Sequence, residues 1–149
     1  MDTKHNILVK CFLIATAAIC TLVAGGCGDA DRMTTGGVTG TVTLDGEPLD
    51  NAQIVFYTDQ RMGLGNIVSG EIKDVTTYTQ GDGVLLGTHR VAIRPKVDEA
   101  LLMQEPTEAK IKLEESGIPL KYRDPGLSGL NAEITAGGNS VNFELKSND

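Results

Sequence analysis

The chain has no tryptophan, and only three tyrosines and three phenylalanines among its 149 residues. Any core must therefore rest on valine, isoleucine and leucine with a few rings. Cysteine is absent after residue 27; Cys11, Cys20 and Cys27 are the whole supply. Disulfides, the usual support of a small exported domain, are excluded from the rest of the chain. Histidine is scarce too, and after Cys27 only His89 is left. The apolar stretch from Cys11 to Ala24 is shorter than the roughly 20 residues that a membrane-spanning helix needs.

What is present at the front has an order. Lys4 and Lys10 precede the uncharged stretch, and Ala24-Gly25-Gly26 follows it directly before Cys27. A basic start, a short apolar run and small residues are the layout of a secretory signal. Ala-Gly-Gly-Cys also resembles a bacterial lipobox, where a cysteine is lipidated and becomes the new N-terminus. The usual pattern has leucine three places before the cysteine; here that place is Ala24, with Leu22 and Val23 just upstream. The alternative is an ordinary cleaved signal with a chance cysteine. Acylation would give the lone exported thiol of Cys27 a purpose and remove its reactivity. The expectation is a signal over 1–26, a lipid anchor at Cys27 and a flexible tether over 27–36, rich in small polar residues.

Removing 1–26 takes Lys4, Lys10 and Asp2 from totals of 13 basic and 20 acidic residues. That leaves 11 and 19, a net charge of −8. Such a surface disfavours nucleic acid and anionic lipid as partners. Attachment to a membrane would have to come from acyl chains, of which more than one gives a stable anchor.

The rest of the chain, 37–149, reads as one domain. It is organised around residues 37–58, which read as strand, turn, strand. Val42 and Leu44 share a face of the first strand. Asp45-Gly46 starts a turn, Pro48 stiffens its exit, and Ile54-Val55-Phe56-Tyr57 makes the second strand. Asp59 to Gly65 reads as a loop, Asn66 to Asp74 as a strand broken near Gly70, and Val75 to Gln80 as another. Leu86 to Pro95 is a clear strand, with Val91 and Ile93 facing one way and Arg90 and Arg94 the other. An insertion over 96–128 carries helix formers on both sides of Pro106, with Gly117 as a stop. Asn131 to Ala136 and Ser140 to Lys146 close the chain. The last alternates Val141, Phe143 and Leu145 with Asn142 and Glu144, as a half-buried antiparallel strand does. About seven strands with frequent turns predict an all-β, antiparallel β-sandwich of immunoglobulin-like architecture, with a short helical or irregular insertion before the last two strands.

Gly40-Thr41-Val42-Thr43-Leu44-Asp45-Gly46-Glu47-Pro48-Leu49, followed by Ala52-Gln53-Ile54-Val55-Phe56, resembles the opening of carboxypeptidase-regulatory-like, transthyretin-like domains. With the lipobox and the segment Pro119-Leu120-Lys121-Tyr122-Arg123-Asp124-Pro125-Gly126-Leu127-Ser128-Gly129-Leu130, the chain is similar to small lipoproteins abundant in planctomycete bacteria. The resemblance implies export and a seven-stranded sandwich, and no established activity. Hydrolases of the transthyretin fold use His and Arg residues and end in Tyr-Arg-Gly-Ser. Here Tyr122-Arg123-Asp124 is internal and the chain finishes Glu144 to Asp149, which argues against that activity.

No catalytic residue, metal ligand or cofactor is assigned, and no ligand-binding residue can be named. His89 reads as a surface histidine beside Arg90. Ser69, Ser116, Ser128 and Ser140 lack a nucleophile-elbow motif. Asp45, Glu47, Asp50, Asp59, Asp74, Asp82, Asp98 and Glu99 follow no calcium-loop spacing and read as a solvated acidic surface. Gly81-Asp82-Gly83 joins strands and is not a phosphate loop. Tyr122 reads as packing over the sandwich edge, with Asp124-Pro125-Gly126 as a turn. The leading expectation is a non-enzymatic accessory or protein-interaction module in the cell envelope, meeting an envelope protein through loops and sheet edges. The other is an envelope module for carbohydrate or a small ligand. That reading would gain if two or more of Tyr57, Tyr78, Tyr122, Phe56 and Phe143 formed an exposed platform.

Overall fold

The computed structural model describes residues 32–96, 103 and 106–148. The expected signal, Cys27, Asp98 and Glu99 lie outside the described residues, as does most of 97–105. Among the described residues the chain is all-β, with nine strands, one α-helix and one 3-10 turn. The strands are β1 (Thr35–Leu44), β2 (Glu47–Pro48), β3 (Ala52–Tyr57), β4 (Met62–Val68), β5 (Glu71–Thr76), β6 (Val84–Leu85), β7 (Gly87–Pro95), β8 (Leu130–Ile134) and β9 (Gly138–Leu145). The sheet begins at Thr35, inside the stretch expected to be tether.

The strands form one curled sheet that folds over itself. One layer runs β5-β4-β3-β7-β8, all antiparallel. The other is β1 with β9 beside it. A single pair, Thr41 with Glu71, joins β1 to β5 at the bend. The layers share one core. Val38, Val42, Phe143 and Leu145 come from β1 and β9, and they pack with Ile54, Phe56, Ile67, Ile72, Val91, Ile93 and Ile134. Burying each such side chain contributes about 1.5–3 kcal/mol, and these few must replace the missing rings.

Three expectations fail for physical reasons. First, β1 and β3 do not form a hairpin. β1 turns back only onto β2, pairing Leu44 with Glu47, and the chain then crosses to the other layer through Asn51, held at φ 50°. β3 pairs with β4 and β7 instead. Second, the loop expected over 59–65 is mostly β4. Its glycines face the core because there is no room: a Cβ on Gly63 would lie 2.2 Å from Val84 Cγ1. The bend at Ser69-Gly70 then returns the chain as β5, and Val75 to Gln80 is not a further strand. β5 ends at Thr76, because the Asp82 carboxylate collects the N–H groups of Thr77 (2.8 Å), Tyr78 (3.1 Å) and Thr79 (3.1 Å). Such side-chain bonds give the backbone an alternative to the ladder.

Third, β9 runs parallel to β1, in register from Gly37–Gly138 to Leu44–Leu145. Asn139 steers the chain there. Its Oδ1 accepts from Thr135 N (3.0 Å), and its Nδ2 donates to Thr135 O (2.9 Å) and Gly37 O (3.1 Å). The turn after β8 is thereby tied to β1 rather than folded back onto β8.

The insertion is helical over α1 (Pro106–Glu115), with Pro106 in the first turn as expected. A 3-10 turn over Leu120–Arg123 follows and buries Tyr122 against the core. Tyr122 Oη accepts the N–H of Lys146 (3.2 Å). Arg123 closes the loop by donating through Nη2 to Leu113 O (2.8 Å) and Ile118 O (2.7 Å). Burial lowers the affinity of its guanidinium for a proton. Asp124 sets the expected turn, its Oδ1 accepting from Gly126 N (2.6 Å).

Candidate functional site

Strand alternation puts a polar row on the outer face of the larger layer. Asn66 of β4 stands opposite Lys73 of β5 and Gln53 of β3, and Gln53 stands opposite Arg94 of β7. Directly paired residues share a face, so Lys73, Asn66, Gln53 and Arg94 form one line across four strands. A second line joins Met62, Tyr57 and Arg90. Between these lines Leu64 is 38% exposed.

An open groove of about 690 Å³ runs over this face, lined by Gln53, Arg61, Leu64, Asn66, Asp74 and Gln80 among others. The Arg61 guanidinium lies 4.9 Å from the centre of the Tyr78 ring. Lys96 Nζ donates to Asn66 Oδ1 (3.0 Å), and Lys73 pairs with Glu71 (2.9 Å). Arg94 donates to Tyr57 Oη (2.7 Å) and to Arg123 O (3.0 Å). A smaller hollow of about 480 Å³ adjoins Tyr57, Asp59, Leu86 and Arg90, where Arg90 and Asp59 are 3.7 Å apart. The lining offers amides, hydroxyls and charges of both signs, suited to holding a polar molecule by hydrogen bonds.

His89 corrects the sequence reading. It is 1% exposed, not on a surface, and lies edge-on to Phe56. Its parity with Val91 and Ile93 carried that signal, because alternate residues of a strand share a face. Its Nε2 meets Leu85 O at 2.7 Å and Nδ1 has no partner. None of the four serines bonds to it. Ser128 is buried and donates to Val91 O (2.5 Å), and Ser116 donates to Leu113 O (2.8 Å).

The acidic side chains are scattered and several set turns. Asp45 accepts from Ser147 N (3.1 Å) and Asp50 from Ser69 N (2.8 Å). The Ser147 hydroxyl and then its N–H hold the Asp45 carboxyl below the ordinary aspartate value; the N–H groups of Ser69 and Asn51 do so for Asp50. Among the described residues no three His, Cys, Asp or Glu side chains stand close enough to hold a metal ion together. No helix among them is long and apolar enough to cross a membrane.

The aromatic platform does not form. Phe56, Phe143 and Tyr122 are buried, and Tyr57 and Tyr78 are half-buried with Arg94 and Arg61 over their rings. The register that aligns Gln53, Asn66 and Lys73 on the outer face joins strands that local pattern does not pair, and Arg61 reaches the same face from the turn before β4. No family model, curated protein or solved structure matches the chain.

Proposed function

We propose that the chain is a cell-envelope lipoprotein, anchored to a membrane through acylated Cys27, whose β-sandwich domain is a non-enzymatic interaction module. The anchor rests on Lys4, Lys10, the Cys11–Ala24 run and Ala24-Gly25-Gly26-Cys27. The resemblance to planctomycete lipoproteins with a carboxypeptidase-regulatory-like, transthyretin-like domain supports the same assignment. The observation that carries the module is the outer edge of β9. Asp45 N donates to Leu145 O, so Leu145 turns its backbone groups toward β1. By alternation Ser140, Asn142 and Glu144 turn theirs away, and no described strand lies beyond them. Such an edge accepts an extended segment of a protein partner.

Intact-mass measurement on protein purified from its native envelope tests the anchor. A chain beginning at Cys27 with added acyl mass is expected; an unmodified chain or another start overturns it. For the edge, Ser140→Pro removes an outward donor where a strand tolerates it. Capture of an envelope protein should be lost with the fold retained, and unchanged capture overturns the edge reading.

The groove favours a second reading, a module that binds a polar envelope ligand. It places Gln53, Asn66 and Gln80 around one open space.

A further inference from the structure

The outer face of the larger layer holds a large share of the cations of a chain that is otherwise acidic. Of the 11 lysines and arginines after Cys27, Arg61, Lys73, Arg90, Arg94 and Lys96 belong to this face and its rims, beside the carboxylates of Asp59, Glu71, Asp74 and Glu133. Lys73 and Arg94 end the four-residue line, and Asn66 and Gln53 fill its middle. At about 4.8 Å per strand their backbones lie about 14 Å apart. With Arg94 held on Tyr57 and Arg123, and Lys73 on Glu71, the two heads do not converge on one small anion. The spacing suits charges repeated along a chain.

Resting on the ligand-binding reading, we infer that the groove binds an acidic oligosaccharide, a sugar chain carrying carboxylates at intervals. The amides of Asn66, Gln53 and Gln80 each present a donor beside an acceptor, as neighbouring sugar hydroxyls require. Asp74, on the groove wall, offers acceptors for sugar hydroxyls. Exposed Leu64 and Met62 offer an apolar floor for the C–H face of a sugar ring. Arg61 makes no ion pair or hydrogen bond through its guanidinium among the described residues; it rests on the Tyr78 ring and can take a carboxylate. The Lys73–Glu71 and Lys96–Asn66 contacts are surface pairs of small net worth, so exchange for a ligand is cheap. An acidic peptide fits less well. β3 and β4 are each flanked on both sides by other strands, so no backbone groups there await a new strand.

The test is calorimetric titration of the purified full-length protein with α-1,4-linked tetragalacturonate, with its neutral methyl ester and with polyphosphate. Expected is saturable binding of the acid, weakened by salt and at least about tenfold weaker for the ester. Arg61→Gln and Lys73→Gln, both on exposed side chains, should each weaken it about tenfold without shifting the thermal midpoint. Equal binding of the ester overturns the acidic ligand and leaves a sugar groove standing. Polyphosphate binding as tightly as the acid overturns the saccharide. Binding of none of the three overturns the groove reading as well.

Discussion

The ring of His89 hangs from the carbonyl oxygen of Leu85, with Nε2 2.7 Å away, while Nδ1 on its far side meets no partner. A carbonyl only accepts, so Nε2 donates to it, and the buried Nδ1 is left unmet. His89→Ala should destabilise the fold by about 2–4 kcal/mol, through a cavity beside Phe56 and an orphaned carbonyl. His89→Leu refills the space and removes the unmet nitrogen, leaving only the carbonyl, and should cost about 1–2 kcal/mol. Urea unfolding of both variants checks the order. Equal losses would mean that the histidine does not fill the space its burial implies.

Gly40 and Gly46 receive the same substitution with different consequences. Both have left-handed φ, at 144° and 92°. A Cβ on Gly40 would sit 1.7 Å from Val141 O, inside the β1–β9 ladder, whereas one on Gly46 meets nothing within 4 Å. Gly46→Ala should cost about 1 kcal/mol, from backbone strain alone. Gly40→Ala should exceed about 3 kcal/mol and expose the amides of β9 to hydrogen exchange.

Acid should weaken the fold through two turn carboxylates. Asp45 and Asp50 are both held below their ordinary values by hydrogen bonds, chiefly from Ser147 and from Ser69. A carboxyl that is more acidic folded than unfolded adds stability above its unfolded value, and loses it as pH falls through the folded one. The contribution is therefore complete at neutral pH and fades below about pH 4. Both groups are fully exposed, so the effect is small. The double variant Asp45→Asn, Asp50→Asn should be slightly less stable than the parent at pH 7, and the two should converge near about pH 2. Thermal midpoints across that range test it; a gap that widens in acid would reverse the sign.

Local chemistry made β7 readable, because Val91 and Ile93 alternate with Arg90 and Arg94 over a long run. The Asp45-Gly46 turn and the insertion around Pro106 were readable for the same reason: each depends on its own few residues. Pairing did not follow. Val141, Phe143 and Leu145 identify the buried face of β9 and carry no information about direction. Contacts about a hundred residues apart, Asn139 with Gly37 and Asn142 with Thr41 among them, hold β9 against β1. The candidate groove was hidden likewise. Asn66 reads as the start of a strand directly after a glycine-rich stretch that reads as loop, and its alignment with Gln53 and Lys73 exists only once β3, β4 and β5 are paired.

The parallel match of β1 with β9 sets a schedule. Residues 37–44 stay without their main neighbour until 138–145 have been synthesised, since their contacts span about a hundred positions of chain. Pairings so remote form slowly. A polypeptide of this kind remains threadable while it emerges, and closes only when its last strand arrives.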